Sequence, residues 1–217
     1  MKIDFHTHSP NLSDDTLAIE SVCFPNSPKH SMFCYGLHPW HIESVELKDY
    51  FEKLSFYKDQ KGFLALGEIG LDRIQGAEFK KQLSVFEQNL LFAKKNRLQH
   101  IIIHCVKSLS DILNVVKACD FKGTLIFHDA NFSLQDATKL IEQGHYLSFG
   151  ANLMRPNAKA AQFFKLLNLD HIFLETDDQN LDILRLYERA AELSGKSIDE
   201  IEQKILKNFQ VLFGAKI

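Results

Sequence analysis

Eight short apolar or β-branched segments recur along the whole chain, and no other feature of the sequence restricts the fold as strongly. They are KIDF (2–5), IESVCF (19–24), MFCYGL (32–37), FLALGEI (63–69), HIIIH (100–104), TLIFH (124–128), HYLSFG (145–150) and HIFLET (171–176). From the third onward, most are separated by segments of helical period. In the clearest, FKKQLSVFEQNLLFAKKNR (79–97), Leu83, Phe86, Leu90 and Ala93 fall on one stripe with Lys and Glu opposite. LSDILNVVKAC (109–119), SLQDATKLIEQG (133–144, with a serine cap and a glycine stop) and NAKAAQFFKLLN (157–168) have the same character. Strand, helix, strand is the pattern of a parallel sheet, so the expected fold is α/β, a TIM-like (β/α)8 barrel. Residues 8–32 are too few, and too rich in Pro, Asn and Ser, to hold full crossover helices on both sides of the second strand. The barrel is therefore expected to be trimmed in its first crossovers. Two helical patterns after the eighth strand, ILRLYERAAELSG and SIDEIEQKILKNFQVLFG, are expected to cover its outside and bottom.

With 217 residues, 45% of them hydrophobic, the chain is long enough for one sizeable core and is read as a single domain, 1–217. A formal charge of -3 gives no global basic field, so a phosphate-bearing substrate must be attracted locally. The four cysteines, at 23, 34, 105 and 119, lack CxxC spacing and fit reduced thiols. The opening MKIDFHTHS has no apolar signal region, and no apolar run approaches twenty residues. A soluble, cytoplasmic protein that does not engage a membrane is expected.

The chemistry concentrates at strand ends. Of ten histidines, His8, His104 and His128 lie at or just past the C-terminal ends of predicted strands, and His6 precedes His8 by two positions. Side chains at i and i+2 of a strand share a face, so HTH sets two imidazoles side by side where a borderline-soft cation can be held. The same mouth of a barrel collects Glu68, at the end of FLALGE, and Asp177, after HIFLET. One buried histidine at a strand end is usually a hydrogen-bonded core residue. Six convergent groups (His6, His8, Glu68, His104, His128 and Asp177) are costly to bury together without a cation. His38, in GLHPWH, is expected to face the same mouth and to contact substrate or orient a ligand, or else to pack against Pro39 and Trp40. His41 has less claim, and Asp72 and Arg73 read either as partners of the ligands or as a salt-bridged turn. His30, His100, His145 and His171, in a loop or at strand beginnings, are read as structural.

These residues resemble the TatD family of metal-dependent deoxyribonucleases and hydrolases, within the amidohydrolase-like superfamily. The resemblance runs nearly the full chain, through DFHTHS (4–9), GLHPWH (36–41), ALGEIGLD (65–72), IIIHC (101–105), IFHDA (126–130), FLETD (173–177) and NFQVLFG (208–214). It implies that His6, His8 and Asp177 bind one divalent metal and His104 and His128 a second, with Glu68 bridging both. Zinc is the first expectation, and Mg, Mn, Fe, Co or Ni also suit such donors. Two such cations activate water as a hydroxide and polarise a phosphoryl oxygen. Asp177 and Glu68 are then the catalytic residues, Asp177 also orienting or deprotonating the water, and His38 is a substrate-contact candidate. The implied substrate is a phosphodiester, DNA ends included.

Three segments depart from the family pattern. After IIIHC the chain reads HCVKS, with Val106 in the place of an arginine and Lys107 next to it; the turn after IFH is Asp129 to Asn131; and ETDDQNLDILRL passes almost directly into a helix. These weaken the inference to DNA without touching the ligands. The competing readings are a PHP-like phosphomonoesterase, suggested by IDFHTHSPNLSDD but lacking that family's closing Asp-x-His, a C–N or C–O hydrolase, and a non-catalytic metal-stabilised binding protein.

Overall fold

The computed structural model describes residues 1–10 and 15–214. Its eight strands are β1 (Lys2–Thr7), β2 (Thr16–Cys23), β3 (Phe33–Gly36), β4 (Phe63–Asp72), β5 (His100–Val106), β6 (Thr124–Phe127), β7 (Tyr146–Phe149) and β8 (Ile172–Leu174). Each falls on one of the eight segments expected from the sequence. They follow one another in the sheet in chain order, and the pairs β1–β2, β3–β4, β4–β5 and β7–β8 are parallel. The helices are α1 (Leu47–Tyr57), α2 (Phe79–Lys95), α3 (Leu109–Ala118), α4 (Leu134–Glu142), α5 (Lys159–Phe163), α6 (Ile183–Ser194) and α7 (Ile198–Phe213). Among the described residues between β1 and β3 there is no helix, in line with the expected trimming; residues 11–14 of that stretch, within PNLSDD, lie outside the described residues.

Contacts divide the chain into two compact units, residues 1–20 with 127–217 and residues 21–126. In the first, β1 meets the chain just after β8 through an isolated parallel bridge between Thr7 and Asp177. Phe5 stacks on Phe173 of β8 (ring centroids 4.1 Å apart) and on Phe213 of α7 (6.1 Å), which fixes one face of β1 against apolar neighbours and leaves His6 on the other. The Tyr187 hydroxyl of α6 donates to Ile3 O (3.1 Å) and accepts from Ile3 N–H (2.8 Å). The α-amino group of Met1 pairs with Glu202 of α7, so both C-terminal helices hold β1. Sequence punctuation sets their limits. Asp182 caps α6, Gly195 ends it at φ 69, and Ser197 with Glu200 forms a capping box on α7.

In the second unit, α1 is a helix that the sequence pattern did not single out. Only Tyr50 and Leu54 are buried on it, and Glu46 at its N-cap makes no side-chain capping bond. What holds it is tertiary: Tyr50 is fully buried and its hydroxyl donates to Asn89 of α2 (2.5 Å). In the first unit, the expected helix at 157–168 is shorter than its pattern. α5 covers five residues, and Phe164–Leu166 continues as a 3-10 turn.

Candidate metal centre

Each unit gathers its own group of imidazole and carboxylate side chains, and each group is built by strand geometry. In the first unit, Asp177 N–H donates to His6 O (2.8 Å) and His8 N–H to Asp177 O (3.1 Å), so the bridge between β1 and the end of β8 sets the side chains facing one another. Asp177 Oδ1 stands 3.7 Å from His6 Nε2 and 3.5 Å from His8 Nε2. Asp177 adopts φ 55, a left-handed conformation that aspartate tolerates better than most residues. His128, directly after β6, stacks on His6 with centroids 4.7 Å apart and planes 24° apart. His6, His128 and Asp177 each offer a donor atom within 4.8 Å of the others. Donors on one tetrahedral cation lie about 3.4 Å apart, given bond lengths of about 2.1 Å. The arrangement therefore needs only small side-chain adjustment to close on an ion.

In the second unit, Glu68 Oε1 lies 2.7 Å from His104 Nδ1 and 3.1 Å from His38 Nε2, and the two imidazoles are 3.2 Å apart. All three residues are buried. Two glycines in GEIG allow the approach. The register of β4 on β5 shifts between Leu66 and Ile69, and Gly67 and Gly70 take φ 150 and φ 153, where a side chain would be strained. A Cβ on Gly70 would come within 2.0 Å of His104 O. The far side of the His104 ring faces Asp72, with Nε2 to Oδ2 at 3.3 Å. Asp72 is buried, which by itself raises its pKa, yet hydrogen bonds from Ile74 N–H, the Trp40 indole and Gln75 N–H, with one shared with His104, leave it below the usual carboxylate value. A charged carboxylate behind a ligating imidazole fixes its tautomer and raises its basicity. Both groups combine nitrogen and oxygen donors without thiolate, a set that suits Zn, Mn, Fe, Co or Ni.

The sequence profile described as "TatD related DNase" matches residues 10–214. The chain belongs to the TatD family. Among relatives, it is 27% identical over 196 residues to the uncharacterized metal-dependent hydrolase YjjV of Escherichia coli K12, covering 82% of this chain and 74% of YjjV. It is 26% identical over 170 residues to an uncharacterized metal-dependent hydrolase of Buchnera aphidicola subsp. Baizongia pistaciae, a match spanning 76% of this chain but only 63% of that relative. The solved YjjV structure superposes with a TM-score of 0.83 at 24% identity, covering 99% of this chain and 98% of that one. A TatD-family hydrolase from Entamoeba histolytica gives 0.79 at 16% identity, covering 91% and 85%. These likenesses show the fold, a TIM-like (β/α) barrel of eight parallel strands with helices between them.

Of the ligand candidates, His6, His8, His128 and Asp177 come together in one TatD unit, and Glu68 and His104 in the other. His38 joins the second group, with its Nδ1 accepting from Trp40 N–H (3.2 Å) and its Nε2 turned to Glu68. The ambiguity over Asp72 and Arg73 resolves into two roles. Asp72 backs His104, while Arg73 pairs with Asp111 (2.8 Å) and lies over the Phe79 ring. His171 Nδ1 bonds His145 O, as expected for structural histidines. No helix among the described residues is long and apolar enough to cross a membrane.

Sequence reasoning missed Glu175 and Asp4. Glu175 is fully buried, its Oε1 3.4 Å from His128 Nδ1 and accepting from Asp129 N–H (2.6 Å). Burial raises its pKa, but the neighbouring His128 and His6 outweigh that and hold it low. Asp4 receives Thr176 N–H (2.9 Å) and Oγ1–H (2.6 Å), and burial pushes its pKa up to about 6. The available signal was parity: Asp4 precedes His6 on β1, and Glu175 precedes Asp177 just after β8, each by two positions. Glu175→Gln should weaken metal binding by about 10–100-fold, because the His128 ring loses its orienting charge. Competition against a chromophoric chelator measures it; unchanged affinity would mean that Glu175 does not orient the ring.

Proposed function

We propose that the chain hydrolyses phosphodiester bonds, DNA ends among them, with two divalent cations, zinc first. The observation that carries this reading is that each unit gathers its own imidazole–carboxylate group at strand ends. Bound there, the cations supply Lewis acidity toward an ester oxygen and bring the pKa of water toward neutrality. The cations would be held by His6, His8, His128 and Asp177 in one group and by Glu68 and His104 in the other, with Glu68 supplying the carboxylate charge of its group. Asp177, between His6 and His8, holds the attacking water and takes up its proton. Asp72 and Glu175 keep the imidazoles of His104 and His128 in the tautomer that leaves the ligating nitrogen free. Four cysteines present as thiols support a reducing, cytoplasmic setting.

Anion recognition is assigned to Arg155. The exposed side chain lines a cavity of about 70 Å³ together with Asp129, Asn152, Asp177 and Gln179. It offers a bidentate donor for a phosphate beside Asp177, and HCVKS itself holds no arginine. Arg155→Ala is expected to raise KM for a phosphodiester about tenfold with little change in kcat, consistent with loss of a charge-assisted hydrogen bond. An equal fall in kcat would assign it to the chemical step instead.

Elemental analysis coupled to a hydrolysis panel tests the function. Cleavage of single-stranded DNA and bis-p-nitrophenyl phosphate, lost on chelation and restored by metal, is expected. Turnover confined to p-nitrophenyl phosphate would make the protein a phosphomonoesterase, and turnover confined to amides would move the reaction to carbonyl carbon.

A further inference from the structure

Trp40 is the chain's single tryptophan, and 42% of its surface is exposed, although Leu37, His38 and Pro39 before it are buried. An indole in solvent is ordinarily loose. This one is held at several points. Its Nε1–H donates to Asp72 Oδ2 (2.8 Å), and its backbone N–H donates to His38 Nδ1 (3.2 Å). Its ring meets His38 edge to face at 4.7 Å and His104 at 5.7 Å, so it sits directly beside the Glu68 group. The chain after β4 closes against it: a Cβ on Gly76 would reach 2.8 Å from Pro39 O and 3.0 Å from the indole Cδ1. Ile74, 66% exposed, is tethered to the same carboxylate through its N–H to Asp72 Oδ1 (2.7 Å).

We propose that Trp40 is a specificity-determining residue: a fixed stacking platform, flanked by Ile74, that binds a flat aromatic ring carried by the substrate next to the metal-ligating group. Two side chains are far too small a surface for a stable protein interface, which needs about 800 Å² per partner. They suit one planar ring. An aromatic held rigid before binding loses little entropy when a ring stacks on it. The inference rests on the phosphoester reading and deepens it: the substrate is a phosphoester joined to a nucleobase-like ring, recognised by its π-face instead of its hydrogen-bonding edge, which tolerates any base.

Deoxyadenosine 5′-monophosphate and 2-deoxyribose 5-phosphate share the sugar phosphate and differ in the ring. Titration calorimetry on the metal-loaded protein is expected to give about tenfold tighter binding of the nucleotide, the scale of one base–aromatic stack. As Trp40 is the sole tryptophan, its fluorescence should be quenched by the nucleotide and not by the sugar phosphate. Two variants separate stacking from support of Asp72. Trp40→Phe keeps a ring without the N–H and should retain most of the preference, whereas Trp40→Gln keeps a donor without the ring and should bring the two ligands to parity at full metal content. Parity in the wild type, or a preference kept in Trp40→Gln, overturns the inference while leaving phosphoester hydrolysis intact. Failure of both ligands to bind removes the phosphoester reading itself, and the inference with it.

Discussion

Glu68→Ala is expected to abolish turnover and metal loading together. The carboxylate is buried, with Oε1 2.7 Å from His104 Nδ1 and 3.1 Å from His38 Nε2. Its removal leaves two imidazoles facing a cavity without the negative charge that would draw a cation between them. The fall in kcat should be about 10³-fold or more, the scale of removing one group from an organised electrostatic site. Bound metal per chain should fall in the same preparation. Glu68→Gln is the informative companion, since it preserves volume and one acceptor while removing the charge. It should fold like the wild type and still bind metal poorly. Full metal content with retained turnover in either variant would remove Glu68 from the centre.

Gly70→Ala should be strongly damaging although Gly70 is not a ligand. The added Cβ would lie 2.0 Å from His104 O and within 2.9 Å of His104 N, and backbone atoms cannot rotate away as a flexible side chain does. The residue also sits at φ 153, where an L side chain is strained. Clash and strain together cost about 3–5 kcal/mol, a large share of a domain's stability. Urea denaturation should show this as an early midpoint or as loss of soluble protein, and surviving protein should bind less metal because His104 has been displaced. Gly144→Ala provides the contrast. Its φ is 82, but a Cβ there meets nothing within 4 Å. Only conformational strain of about 1 kcal/mol is expected. Equal effects at the two positions would refute the close β4–β5 approach as the cause.

The strands were legible because each is a short apolar run whose burial is nearly complete along its length. β4, for example, is buried at every position from Phe63 to Asp72. α2, α4, α6 and α7 were legible for the complementary reason, an apolar stripe, bounded in α4, α6 and α7 by caps or glycines. α1 was not, because it has neither a capping side chain nor a glycine stop, and the Tyr50–Asn89 bond that anchors it joins positions 39 apart. The same limit applies in the site. HTH, GEIGLD and ETD announce acid and imidazole groups at strand ends, but a motif does not say what stands behind each ring.

What the sequence determined by itself was the alternation of strand and helix, the place of the chain in the TatD family, and the positions of six candidate ligands. Those are local properties, carried by side-chain period and residue type over a few neighbouring positions. The tertiary structure alone decided that Glu175 stands behind His128, that Asp72 rather than Arg73 backs His104, that His38 turns toward Glu68, and that an indole is pinned at the edge of that group. Each of these depends on distance across strands and on burial. Burial makes a charge costly unless it is matched, so the partner of a buried charged group is fixed by what the fold brings within about 3 Å of it, and no span of neighbouring sequence carries that information.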